Sequence, residues 1–126
     1  MNEGSGCYNL GLSYENGKGV KHDYHKANTL YDKACNLNQS FACNNLGIAY
    51  IKGTGVEKTP QKGFHYIHKA CDLSLGLACK NEGNLYKNGQ GVRQNKNTAK
   101  EYFGKACDLG EQGGCDEYRE LNEQGY

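Results

Sequence analysis

The sequence predicts an all-α fold: a right-handed αα solenoid of 36-residue repeats, stapled by disulfides. Three observations carry that expectation. The seven cysteines, Cys7, Cys35, Cys43, Cys71, Cys79, Cys107 and Cys115, are spaced alternately by 28 and 8 residues. Other residue types recur on the same ruler. Each interval also contains two stretches of helical periodicity parted by a glycine-rich turn. A constant interval of this size marks a repeat array.

Unit one spans 7–42, unit two 43–78 and unit three 79–114, with a partial fourth at 115–126, so residues 1–126 form a single array. In the first helix, Cys7, Leu10, Gly11 and Tyr14 fall at i, i+3, i+4 and i+7, one stripe of a helix. The glycine and tyrosine return as Gly47 and Tyr50, then as Gly83 and Tyr86. Glycine inside a helix costs about 1 kcal/mol against alanine, so its recurrence predicts a neighbouring backbone pressed against that position. The helix stops at Gly17-Lys18-Gly19-Val20, a turn repeated as Gly53-Thr54-Gly55-Val56 and Gly89-Gln90-Gly91-Val92. A second helix follows, with Ala27, Leu30, Tyr31, Ala34 and Cys35 on one face. In unit two it opens at Thr59-Pro60, an N-cap residue with proline in the first turn. The last segment, roughly 112–124, is a lone helix. Its Glu117, Arg119, Glu120 and Glu123 suit the solvent face of a terminal cap.

Leu, Ile, Val and Phe make up only 20 of the 126 residues, a share that alone would point to disorder. The net charge of +1, ten tyrosines, eight alanines and seven cysteines oppose that reading. They predict a thin core of small residues and tyrosines, reinforced covalently. The basic residues are dispersed, with no nucleic-acid or membrane-surface footprint. No apolar run nears the roughly 18 residues of a membrane-inserted helix. The opening stretch, Met1 to Gly6, is polar and lacks the apolar core of a secretory signal.

Two cysteine pairings fit the ruler, because the start of the first helix and the end of the second lie at the same end of a hairpin. Pairing within units joins Cys7–Cys35, Cys43–Cys71 and Cys79–Cys107. Pairing across units joins Cys35–Cys43, Cys71–Cys79 and Cys107–Cys115 and leaves Cys7 unpaired. The second is preferred, since eight residues span one helix-end turn and staple each unit to the next. Each such loop contributes about 2.5 kcal/mol by constraining the unfolded chain. The partner of Cys7 would fall upstream of Met1, as in a piece of a longer array. Zinc is disfavoured because these spacings lack the short separation that converges four ligands. Disulfides in turn predict an oxidising compartment, so a secreted or periplasmic protein.

The pattern Leu46-Gly47-x-x-Tyr50-x-x-Gly53-x-Gly55-Val56, completed by Lys69-Ala70-Cys71-Asp72-Leu73, resembles the Sel1-like repeat, a relative of the tetratricopeptide repeat. The cysteine pair in each 36-residue unit resembles the Helicobacter cysteine-rich proteins. The resemblance spans residues 5–124. It departs at Glu82, where earlier units have Leu10 and Leu46, and at Asn122, which stands in the tyrosine position. It implies disulfides at the eight-residue spacing, secretion or a periplasmic location, and an adaptor role in protein assembly. For some members it also implies penicillin binding with weak β-lactamase activity, hence a β-lactam-like or peptidoglycan-derived ligand.

In an αα solenoid the first helices of the units line the concave side, the usual binding surface. Two positions after each repeat-opening cysteine stands an asparagine: Asn9, Asn45 and Asn81. An amide both donates and accepts, so it can pair with the backbone of an extended peptide. Asn44, Lys80, Asn84, Lys87 and Asn88 lie on the same helices and suit peptide carbonyls or carboxylates. The expected function is a scaffold that binds a peptide or protein segment, with a β-lactamase-type hydrolase as the alternative.

No catalytic residue, metal site or cofactor is indicated. None of Ser5, Ser13, Ser40 and Ser74 has a lysine three residues on, as a serine β-lactamase requires. His22/His25 and His65/His68 sit in different registers without an evident third ligand, so they read as solvated side chains. The tyrosines Tyr14, Tyr31, Tyr50, Tyr86 and Tyr102 read as core, with Tyr8 and Tyr66 turned outward.

Overall fold

The computed structural model describes residues 2–126; Met1, the first residue of the polar opening stretch, lies outside them. Seven helices follow one another: α1 (Glu3–Asn16), α2 (Tyr24–Asn36), α3 (Ser40–Lys52), α4 (Pro60–Asp72), α5 (Gly76–Asn88), α6 (Lys96–Asp108) and α7 (Gln112–Glu123). They form three αα hairpins stacked as a solenoid, with α7 as the terminal helix. No strand occurs among the described residues.

Glycine chemistry sets the turns. Gly17, Gly53 and Gly89 end α1, α3 and α5 at φ of 69°, 75° and 68°. The second glycine of each turn is left-handed as well, a conformation that penalises any side chain with a Cβ. Each turn is closed by the same backbone bond. The N–H of Asp23, Thr59 and Asn95 donates to the carbonyl of Tyr14, Tyr50 and Tyr86, in every case at 2.9 Å. The side chains of Asp23 and Asn95 then cap α2 and α6 by accepting from the N–H of Lys26 and Thr98. Thr59 departs from expectation. It precedes Pro60 at the start of α4, but its hydroxyl donates to the Glu57 carbonyl at 3.1 Å and makes no helix cap. A nearby carbonyl competes with the helix N–H groups for a short polar side chain.

The recurrent helix glycines do mark close approaches, mainly to one bulky side chain. A Cβ on Gly11, Gly47 or Gly83 would lie 2.7, 2.5 or 2.6 Å from an atom of Tyr31, Ile67 or Phe103, residues that share a register on the second helices. The expected backbone contact is tightest in unit two, where a Cβ on Gly47 would meet the Gly63 carbonyl at 2.8 Å, and looser in unit one, where a Cβ on Gly11 would lie 3.4 Å from the Ala27 carbonyl. One large residue per hairpin thus fills the notch left by glycine. Around it, Ala34, Ala70 and Ala106 are fully buried at a common register. This is how so few aliphatics close a core.

The disulfides pair across units: Cys35–Cys43, Cys71–Cys79 and Cys107–Cys115, with Cα separations of 4.7, 4.6 and 4.6 Å. Each joins the end of a second helix to the start of the next unit's first helix. Cys7, partly exposed on α1, is the free thiol among the described residues. No described helix is long and apolar enough to cross a membrane.

Candidate functional site

Successive first helices place Asn9, Asn45 and Asn81 at one register, and two adjoining cavities run along them. One, about 280 Å³, is bounded by Glu15, Asn16, Asn45, Ile48 and Lys52. The other, about 230 Å³, is bounded by Ile48, Lys52, Asn81, Asn84 and Gln90. They share Ile48 and Lys52, so α3 forms the ridge of a single groove between α1 and α5. Asn45, Ile48 and Lys52 share one helical stripe.

The eight polar residues expected here divide. Asn45, Asn81 and Asn84 line the groove. Asn44 is buried, and its Oδ1 accepts from Nδ2 of Asn81 at 3.0 Å. Lying one residue before Asn45, it turns toward the neighbouring helix, where a buried amide must find a partner; the bond ties α3 to α5. Lys80 and Lys87 are drawn toward the terminal helix, with Nζ 3.7 Å from Glu111 and 3.0 Å from Glu117 respectively. Asn9 and Asn88 are exposed and lie outside the walls of both cavities. Sequence reasoning missed Glu15, Ile48 and Lys52. For the last two, the i+3 and i+7 spacing from Asn45 is the signal that finds them.

Lys52 and Asn84 face the groove without an intramolecular partner among the described residues. Asn45 in turn faces the phenols of Tyr8 and Tyr31, whose pKa values are raised by burial and then by the nearby Glu15. Both therefore stay neutral at physiological pH. Tyr8 is not the outward anchor expected, for its ring lies 6.0 Å from those of Tyr31 and Phe41. Tyr66 is also engaged, stacking on Tyr50 and donating to Asp32.

A second polar cluster lies between units two and three. Glu82 is fully buried, and its Oε2 is 2.8 Å from Nδ1 of His68; Nε2 of His68 is 3.3 Å from Asp72. His68 keeps 40% of its side chain exposed, but its carboxylate partners were not evident in the sequence, because they come from α5 and from one turn further along α4. Burial raises the pKa of Glu82 and His68 opposes the shift. Burial and then Glu82 push the Tyr102 phenol up to about 12. Among the described residues no group of three or more His, Cys, Asp or Glu is arranged to hold a metal ion.

A family profile for the Sel1 repeat matches residues 4–39, 40–75 and 76–111. The chain belongs to the Sel1 repeat family. Solved Sel1 structures superpose closely on it. A Sel1 repeat protein from Oxalobacter formigenes is 27% identical with a TM-score of 0.92, the match covering 98% of this chain and 51% of that one. A protective antigen of uropathogenic Escherichia coli is 30% identical with a TM-score of 0.93, over 97% of this chain and 26% of the antigen. Helicobacter pylori cysteine-rich protein B is 31% identical with a TM-score of 0.78, over 90% of this chain and 86% of that protein. The chain thus spans about half the length of the Oxalobacter protein and about a quarter of the antigen. A comparison with curated protein sequences found no match. The Sel1 array is a helical scaffold of the type used in protein interaction.

Proposed function

We propose that this Sel1 array is an extracytoplasmic scaffold that binds an extended peptide segment of a partner protein in the groove across α1, α3 and α5. The observation that carries the reading is the pairing state of the lining. Lys52 and Asn84 are unpaired among the described residues and flank the half-buried Ile48, while Asn81 is tied to Asn44 and Asn45 to the Tyr8 and Tyr31 phenols. An amide, an ammonium and an aliphatic side by side recognise a peptide's backbone, carboxylate and side chain. Neither cavity is lined by serine, cysteine or histidine; amides, aliphatics and the Lys52 ammonium dominate the walls, a lining suited to recognition. The three disulfides favour a secreted or periplasmic location, since such bonds persist where the surroundings are oxidising.

The test is a nuclear magnetic resonance titration with a pooled library of unstructured hexapeptides, followed by groove variants. Resonance shifts centred on Asn45, Ile48 and Asn84 are expected. Asn84→Ala and Lys52→Ala should each weaken binding by about 1 kcal/mol or more without lowering the melting temperature. Asn81 is unsuitable for this purpose, because removing its amide leaves the buried Asn44 without its partner. Shifts confined to other surfaces, or variants that bind equally well, would refute the reading. Nitrocefin turnover abolished by a groove substitution would replace it with a hydrolase.

A further inference from the structure

The same three positions on each second helix and the following first helix are used differently in the three units. Asn28, Phe64 and Lys100 share one register, Asp32, His68 and Gly104 another, and Leu46, Glu82 and Tyr118 a third. After unit two the space is filled: the Phe64 ring stacks on His68 at 5.8 Å and meets the edge of Tyr86 at 5.5 Å. After unit three a lysine of the protein itself enters it. Lys100 Nζ lies 5.1 Å from the Tyr118 ring centre, 2.8 Å from Oδ1 of Asn122 and 2.6 Å from the Tyr126 carbonyl. After unit one the space is open. Asn28 is short and is drawn aside to the Thr54 carbonyl at 2.7 Å. A cavity of about 200 Å³ remains, bounded by Asp32, Leu46, Tyr50 and Val56.

We propose that this cavity binds a primary alkylammonium group, the chemistry shared by a free alkylamine and the side chain of a partner's lysine. Leu46, almost without exposure, forms an apolar floor for the alkyl chain. Tyr50 supplies an electron-rich ring, which already draws the exposed Lys62 ammonium to 5.4 Å. Asp32 supplies the counter-charge. Its carboxylate accepts from the Tyr66 hydroxyl at 3.3 Å and has no cation within ion-pair distance among the described residues. A carboxylate beside an aromatic face and an aliphatic floor selects a cation with an apolar stem over either an anion or a plain hydrocarbon. The volume is adequate, since a cavity of about 150 Å³ holds a benzene ring. Lys100 shows the same occupant at the equivalent place two units on. Asn28 borders both this cavity and the α1–α3 end of the groove, but Asp32, Leu46, Tyr50 and Val56 line only this one, and occupancy here does not require a peptide there.

The experiment is a calorimetric and nuclear magnetic resonance titration of the oxidised protein with n-pentylammonium, 1-pentanol and Nα-acetyl-lysine methylamide. Pentylammonium is expected to shift Asn28, Asp32, Leu46 and Tyr50 and to bind at least about tenfold more tightly than the uncharged alcohol. Asp32→Asn should weaken it by roughly tenfold or more. Asn28→Phe, which copies the side chain that fills unit two, should close the site and abolish binding with the circular dichroism melt retained. Binding of the lysine derivative in preference to pentylammonium assigns a protein-borne lysine as the occupant, and the reverse assigns a free amine. Equal binding of alcohol and amine, or an undiminished affinity in Asp32→Asn, would overturn the proposal.

Discussion

The Glu82 carboxylate, closed off from solvent, lies 2.8 Å from Nδ1 of His68 on the preceding helix. In units one and two the same register holds Leu10 and Leu46, and Leu46 is buried. A carboxyl group therefore occupies a position that units one and two give to leucine and the partial fourth unit to Tyr118, and His68 and the Tyr102 phenol face it.

Replacing this charge should stabilise the protein at neutral pH. The pKa of Glu82 is raised above the ordinary 4.5, first by burial. The folded state thus holds its proton more strongly than the unfolded chain does. The stability this supplies is complete below the unfolded pKa and is lost as pH rises through the raised folded value. Glu82→Leu should remove that loss and gain about 1–4 kcal/mol near neutrality. His68→Ala in the parent should instead cost about 3 kcal/mol, because the buried carboxylate loses its partner, and much less in the Glu82→Leu background. Thermal melts over pH would show it; parallel profiles for parent and Glu82→Leu would contradict this account.

The glycines predict a contrast. In Gly83→Ala the new Cβ would stand 2.6 Å from the buried Phe103 ring, so overpacking of about 1–3 kcal/mol should outweigh the better helix propensity. Gly6, also in a helix, has nothing within 4 Å of an added Cβ, and Gly6→Ala should stabilise by up to about 1 kcal/mol. Urea denaturation distinguishes them, and equal effects would show that packing does not govern these positions.

The disulfides should act additively. Replacing Cys71 and Cys79 together with alanine should cost about 2.5 kcal/mol, and reduction of all three bonds roughly three times as much. Denaturant midpoints of oxidised, reduced and double-alanine protein test this. A reduced protein as stable as the oxidised one would mean the links lie in an array that stands without them.

The repeat, the seven helices and the cross-unit disulfides were legible in the sequence because each depends on local spacing, reiterated three times. Gly17, Gly53 and Gly89 announce their turns for the same reason. Legibility fails where a side chain has a choice of partner. The Thr59 hydroxyl prefers the Glu57 carbonyl to the helix N–H groups, and Asn44 turns inward to Asn81 while its neighbour Asn45 faces the groove. His68 and Glu82 meet across two helices, and no local pattern records that pairing. Of the asparagines singled out in the sequence, Asn45, Asn81 and Asn84 line the groove, while Asn9, Asn44 and Asn88 do not. Its centre, Ile48 and Lys52, emerges only when α1, α3 and α5 are placed side by side.

The three cross-links each join cysteines only eight positions apart in sequence. If the two termini are pulled apart, each link withholds about 28 Å of chain, at roughly 3.5 Å per extended residue. Most of the contour length stays available to extend even when every thiol is oxidised. These bonds therefore act as stiff joints between hairpins and not as a limit on reach: under tension the array yields within its hairpins while each joint between them holds.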